Sequence, residues 1–479
     1  MPPQNLSLMA GRELFKRKAC CMAALLALLT GCAAFDQQTG FSDVSAAIEA
    51  RSGRRVVWNS GTELDAQAVQ EVRKLLQNTL TADKAIQIAL LNNRELQATY
   101  AEMGVAQADL VQAGLLRNPI FNSVISFPAS GGQTNLDLGV AVNFLDIFYL
   151  PFRKRVAAAR FEEAKLRVAA TILDFAADVQ RAFYRCQADE QMLELLQTIK
   201  QALAISFEVA QRLHAAGNIT DLDLARERVL LEQAKLDQRT AEVSARLSRE
   251  ELNTLMGLWG QQTVWRIDTR LPDVPEQPLL LSDLESQALR QSLDLAIVRQ
   301  RLIAAGELAG LNRETALFPE TGTGAAAERE EKAWEIGPTI EFPLPLLDQG
   351  QARIGRAMAE VRRAEEEYYF LGVRIRSTAR ALQERLQGAQ DRALYYRDIL
   401  LPLRERIVNE TQLQYNAMQL GVFDLLRARE EQIQAAITYV ESLHNYWLAR
   451  ADLAQMLSGR LPDSGGFAIN RKFSPQNYE

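Results

Sequence analysis

The chain offers few side chains for covalent or metal chemistry. It has two histidines, His214 and His444, and four cysteines, of which Cys20, Cys21 and Cys32 crowd the N-terminus and Cys186 stands alone. A disulfide within the body of the chain is therefore excluded. There is no HExxH, P-loop or CxxC, and Gly322-Thr323-Gly324 lacks the strand–helix setting of a nucleotide loop. No catalytic group, resident metal or cofactor is expected, and enzyme activity is not. Two acids stand out by position. Asp221 follows the break Ala216-Gly217-Asn218-Ile219-Thr220, and Asp424 follows Leu420-Gly421-Val422-Phe423. A carboxylate just past a helix reversal can cap the next helix. Arg427 lies one turn beyond Asp424, where it can pair with Asp424 or a neighbouring helix.

Composition narrows the class. Apolar residues make up 48% and charged residues 24%, while glycine (26) and proline (15) are sparse, so disordered and collagen-like chains are excluded. A net charge of -6 argues against a nucleic-acid partner. At 479 residues the length prior is about three domains, or fewer if the elements are long.

Residues 1–31 read as an address. Arg12, Lys16, Arg17 and Lys18 precede a short apolar run, Ala19 to Leu29, that ends in Leu29-Thr30-Gly31-Cys32. This ending resembles the lipobox of bacterial lipoproteins, in which cleavage precedes the cysteine and its thiol is diacylated. Ala33 rather than an aspartate follows, which in that class favours sorting to the outer membrane. No later run of 18 or more apolar residues exists, so any crossing of a bilayer must use β-strands.

The body is a duplicated module. Ala89-Leu90-Leu91-Asn92 echoes Ala288-Leu289-Arg290-Gln291, and Thr220-Asp221-Leu222 echoes Phe423-Asp424-Leu425. The reading divides the chain into a linker (32–79), a first repeat (80–259), an inter-repeat linker (260–280), a second repeat (281–459) and a tail (460–479). Each repeat holds one very long helix. From Val168 through Ile172, Phe175, Val179 and Ala182 to His214, core positions alternate steps of four and three, the seam of a coiled coil. Arg153 to His214 would be roughly 90 Å long. The second seam runs from Ile354 to Ile407, and Pro402 should kink it. Helices then run back to Gly257 and Gly459, with Thr220 or Asp221 capping one and Asp424 the other.

Each repeat also holds a candidate β-hairpin, about 118–144 and 318–342. Leu136, Leu138, Val140 and Val142 alternate with polar or small residues, as do Trp334, Ile336 and Ile340. That is the pattern of lipid-facing strands in a transmembrane barrel. The partner strand Pro119 to Phe127 and a strand near 318–324 complete the set. The stretches 128–133 and 325–332 are expected as solvent-facing tips, with Glu328 to Trp334 a charged loop. The fold class is thus mainly α with a small β part. Four strands cannot close a barrel, so several chains must pool them.

In order and content these residues resemble the TolC-type outer-membrane efflux family, lipoprotein branch. The resemblance spans about Leu80 to Gly459 and includes Phe342-Pro343-Leu344 and Gly350, which open the second long helix. It implies a homotrimer with a barrel of twelve strands in outer-membrane lipid and a helical tunnel reaching a periplasmic adaptor and an inner-membrane pump. The chain itself would be a passive duct for drugs or heavy-metal ions. It implies that Asp221 and Asp424 line the closed entrance and that Gly217, Asn218, Gly421 and Val422 are turns where the adaptor docks. A type I protein-secretion duct uses the same architecture, and a lipid-anchored coiled-coil scaffold is the alternative from another class.

Overall fold

The computed structural model describes residues 36–462 apart from 37, 60, 62, 128–133, 278–282, 318–320 and 331–332. Cys32 and its lipobox lie outside the described residues. The elements in order are α1 (Phe41–Ser52), α2 (Glu63–Leu76), α3 (Ala82–Asn92), α4 (Arg94–Ala113), β1 (Ile120–Ser126), β2 (Asn135–Asn143), α5 (Asp146–Ala215) and α6 (Asp221–Met256). The second repeat gives α7 (Leu284–Gln291), α8 (Leu293–Glu314), β3 (Gly322–Glu330), β4 (Ala333–Glu341), α9 (Gln351–Tyr395), α10 (Leu401–Asn416) and α11 (Val422–Leu457). The duplication is visible in the caps. Asn93 accepts from the amides of Glu95 and Leu96 to start α4, and Ser292 accepts from Leu295 to start α8.

Helix α5 is 70 residues long, about 105 Å at the α-helical rise. It begins at Asp146, upstream of the expected start, and runs through the exposed Pro151. Its seam is buried where expected, at Val168, Ile172, Phe175, Val179, Ala182 and Cys186. The second long helix is interrupted as Pro402 requires. A single π-turn, Tyr396–Leu400, joins α9 to α10, and Pro402 falls in the first turn of α10. The wider turn relieves the clash between the proline ring and the preceding carbonyl. Along this seam Ile375, Ala379, Leu382, Leu386 and Ala393 are buried, whereas Met358, Leu403 and Ile407 are exposed. Both ends of the seam therefore lack a partner within one chain.

The main core lies at mid-length, where the repeats' short helices pack on α5, α9 and α11. It includes the segment read as a linker. Val44 and Ile48 of α1 are 2% and 0% exposed, one helical turn apart, so α1 docks rather than dangles. Phe41, Trp58 and Tyr100 pack as three tilted rings. Arg51 Nη1 donates to the carbonyls of Gln291 (2.7 Å) and Ser458 (3.1 Å), satisfying the C-terminal ends of α7 and α11 together. The inter-repeat segment is likewise built in. Trp265, Leu271 and Val274 are buried, and the Pro275 carbonyl accepts from Gln390 Nε2 at 2.7 Å.

Charged groups lock this core. Asp452, 1% exposed, accepts from Arg181 (3.0 Å) and Arg385 (3.2 Å). Arg460 reaches Asp174 at 2.5 Å and also pairs with Asp294. It lies just past the end of the second repeat, so the residue read as the start of a tail is structural. Burial, opposed by Arg460, pushes the Asp294 carboxyl above the usual carboxylate range. Arg460→Met should strand both acids and lower the unfolding free energy by about 3–5 kcal/mol at pH 7. Without Arg460 the folded-state pKa of Asp294 rises further. The deficit should therefore shrink as the pH falls and Asp294 takes up a proton in the folded state. Urea titrations of both proteins at neutral and acid pH measure this; an unchanged midpoint at neutral pH contradicts it.

Candidate functional sites: a two-faced sheet and two helical tips

The four strands form one antiparallel sheet in the order β1-β2-β3-β4. The register aligns one face across all four. Phe121 lies opposite Val140, Val140 opposite Ala325, and Ala325 opposite Pro338. The next rows on this face are Ser123, Leu138, Ala327, Ile336 and Ile125, Leu136, Arg329, Trp334, while Val142, Thr323 and Ile340 form another. Hence Leu136, Leu138, Val140, Val142, Trp334, Ile336 and Ile340, predicted to share a face within each hairpin, share one across the sheet. Among the described residues much of this face is uncovered: Phe121 is 65%, Ile336 78% and Ile340 72% exposed, while Leu136 and Leu138 are half-buried. The opposite face carries Asn122, Asp137, Asn143, Glu328 and Glu335, interrupted by Ile120 and Val124.

Strand β3 departs from the sequence reading. It occupies Gly322–Glu330, most of the stretch expected as a solvent-facing tip, and Glu328, Arg329 and Trp334 lie in strands rather than a charged loop. The side chains there are small or charged and give no apolar alternation to read. The backbone decides instead, because β3 is paired on both sides, to β2 and β4. Gly324 shows how close that pairing is, since a Cβ there would stand 2.1 Å from the Val140 carbonyl oxygen.

At the first tip α5 closes through Gly217, whose φ of +76° suits glycine, and Asn218 N–H donates back to the Leu213 carbonyl. Thr220, not Asp221, caps α6. Its Oγ1 accepts from the Asp223 amide (3.2 Å), and Asp223 Oδ2 accepts from the Thr220 amide (3.1 Å), a reciprocal capping box. Asp221 is freed for another contact. Its Oδ1 lies 2.7 Å from His214 Nε2, with the carboxylate 97% exposed.

The second tip differs from the first at its glycine and from expectation at Asp424. Gly421 has φ -81° and is the N-cap of α11, not a left-handed terminator of α10; Met418 takes the left-handed turn instead (φ 58°). Asp424 does not cap α11. It is the third helical residue, and no side chain caps that helix. Val422 opens α11, and Asp424 and Arg427 are exposed. Arg427 makes no hydrogen bond or ion pair with the described residues, so neither latch read for it forms within the chain. By helix position the repeats align Thr220 with Gly421, which pairs Asp424 with Asp223 and Arg427 with Arg226.

Three residues at the tips were not singled out from sequence. Arg226 stacks 4.1 Å over the Phe423 ring, tying one tip to the other. Glu227 is 5% exposed and accepts from Ser206 Oγ at 3.2 Å. Burial raises its carboxyl pKa, while Ser206 and Arg429 act the other way. Asp223 was readable, because Thr-x-x-Asp is a capping-box spacing. Along α6 a further apolar stripe stands in the open. Leu222, Val229, Leu236 and Val243 recur every seven residues and are 59%, 66%, 58% and 53% exposed. The stripe supplies one apolar position per heptad, half of a coiled-coil seam. Among the described residues no group of three metal-ligating side chains exists, and no helix is long and apolar enough to cross a membrane.

This geometry has known counterparts. Residues 85–258 match the family model described as outer membrane efflux protein. The chain is similar to the cobalt-zinc-cadmium resistance protein CzcC of Cupriavidus metallidurans, 24% identical over 79% of this chain and 90% of the relative. It is also similar to the outer membrane protein OprJ of Pseudomonas aeruginosa, 23% identical over 81% of this chain and 86% of OprJ. Among solved structures it superposes on CusC, whose report concerns transmembrane channel formation, with a TM-score of 0.66. That match is 17% identical and covers 78% of this chain and 91% of CusC. The first repeat thus matches the outer membrane efflux protein family, and the chain shares the fold of CusC.

Proposed function

We propose that the chain is the outer-membrane channel of a tripartite efflux system, a passive duct for heavy-metal ions or drugs. The observation that carries this is the exposed apolar face shared by four strands whose polar face is opposite, continuous with a helix about 105 Å long. A sheet so divided suits a wall between lipid and water. The exposed seam of α6 and the exposed seam ends Leu403 and Ile407 of α10 supply surfaces for further copies, and we read the assembly as a homotrimer. A periplasmic adaptor would dock at the turns around Gly217, Asn218, Gly421 and Val422, with an inner-membrane pump supplying energy. Cys32 would carry the acyl anchor in the outer membrane of a Gram-negative cell.

The membrane face is testable by charge. Val140→Arg should cost up to about 2–4 kcal/mol near the bilayer midplane, whereas Asn143→Arg should be tolerated. Heat-modifiable mobility of the folded membrane protein reads this out. Equal tolerance at both positions would favour the scaffold reading.

For the anchor, Cys32→Ser should abolish metabolic lipid labelling and block cleavage of the leader. A variant processed and labelled like wild type refutes the lipobox. At the entrance, six carboxylates from Asp221 and Asp424 would face one axis in a trimer, so planar-bilayer currents should be cation-selective and blocked by divalent cations from the periplasmic side. Neither acid caps a helix, so Asp221→Asn with Asp424→Asn leaves the caps intact. The double variant should need about tenfold more cation for the same block. Trimers blocked as tightly as wild type would move the constriction elsewhere.

A further inference from the structure

Where the chain crosses between sheet and helices, Arg117 of the first crossing lies with Arg153 and Arg160 of α5 and Arg353 of α9 around common cavities. Two adjoining cavities, of about 550 and 580 Å³, open among α4, α5 and α8 and the adjoining crossings. Arg117 and Arg153 line both, Arg160 lines the first and Arg353 the second. Three carboxylates also line them, Asp109 in the first and Asp146 and Asp348 in the second. Asp146, 4% exposed, pairs with Arg153 (3.5 Å) and Arg117 (3.6 Å), and Asp348 accepts from the Gly350 amide at 2.8 Å.

Arg153 is the informative member. Its Nη1 faces Asp146, but Nε and Nη2 are buried with no hydrogen-bond partner among the described residues. Those two N–H groups form one edge of the guanidinium fork, the edge that binds two oxygens of one oxyanion. A buried charged donor pair without an acceptor is costly, so its persistence at a cavity wall points to an acceptor that arrives from outside the chain. The surroundings indicate what that acceptor is attached to. Phe144, Phe148, Leu344, Leu346 and Leu347 at the same crossings are 51%, 58%, 69%, 77% and 93% exposed. An apolar collar beside buried-edge arginines is the arrangement that holds acyl chains on the sheet side and a phosphate on the helix side.

We propose that these cavities form a phosphate-group site, with Arg153 as the bidentate donor and Arg117, Arg160 and Arg353 as the surrounding charge. The phosphate could come from a phospholipid headgroup at the membrane boundary or from free phosphate. The lipid source rests on the membrane reading above; phosphate binding itself does not. The test is native mass spectrometry of the full detergent-solubilised protein with three probes: dioleoylphosphatidylglycerol, dioleoylglycerol and inorganic phosphate. The phosphatidylglycerol should be retained, and dioleoylglycerol, with the same chains and no phosphate, should not. Arg153→Gln should weaken retention about tenfold. Arg160→Gln, on the exposed rim, should weaken it less and serves if the first variant does not fold. Phosphatidylglycerol and dioleoylglycerol held equally, or variants that retain the lipid like wild type, overturn the site. Inorganic phosphate that binds as well as the lipid, with the same dependence on Arg153, supports the site and overturns the lipid as its source.

Discussion

Backbone hydrogen bonding at the two free edges of the sheet is the constraint on which the rest depends. Strands β2 and β3 are paired on both sides, but β1 and β4 each pair on one side only. In hydrocarbon the outer N–H and C=O groups of those edges have no water to satisfy them. The chain therefore cannot be complete as a membrane wall. Since β1 runs outward from the helices and β4 returns to them, β4 of one copy can pair antiparallel with β1 of the next. On the proposed function, closure by repetition would follow, and with it a ring of long helices beneath. The exposed heptad stripe Leu222, Val229, Leu236, Val243 is the same incompleteness expressed in helices.

The rest of the molecule keeps that unfinished sheet rigid. Mid-length helices from both repeats close on α5, α9 and α11, and the acids Asp174, Asp294 and Asp452 are held by Arg460, Arg181 and Arg385 across repeats. Arg51 fastens the N-terminal helix to the ends of α7 and α11. Far from this core the packing thins. Toward the tips a smaller cluster joins the hairpins, with Ile433 and Ile437 of α11 packed on Leu196, Ile199, Leu203, Leu231 and Ala234 beside a cavity of about 220 Å³, and the Arg226–Phe423 stack adds a further link.

Sequence carried the architecture well because long elements repeat their signals. Fourteen seam positions in α5 and two copies of one module left little freedom, and the alternation in β1, β2 and β4 placed the apolar face. Signals failed where backbone rather than side chains decided the structure. β3 has only alanines, glycines, one threonine and charges to show, and its two paired neighbours define it. Asp221 and Asp424 looked equivalent because each precedes a leucine. The caps set the true frame, with Thr220 opposite Gly421. The linkers misled through their small and polar composition, although a single pair, Val44 and Ile48, was enough to bury α1.

Disulfide cross-linking of the two free edges tests the central claim most directly. Within one chain β1 and β4 are separated by two strands, about 14 Å, beyond the reach of a disulfide. Cysteine at Val124 in β1, combined in turn with cysteine at Glu335, Gly337 or Thr339 in β4, samples the register between copies on one face. Oxidised in outer-membrane fractions, one of the three pairs should yield covalent species that end at the trimer, dispersed by reductant. Monomers alone from all three pairs would contradict the pooled barrel. A ladder ending at two copies would contradict the trimer.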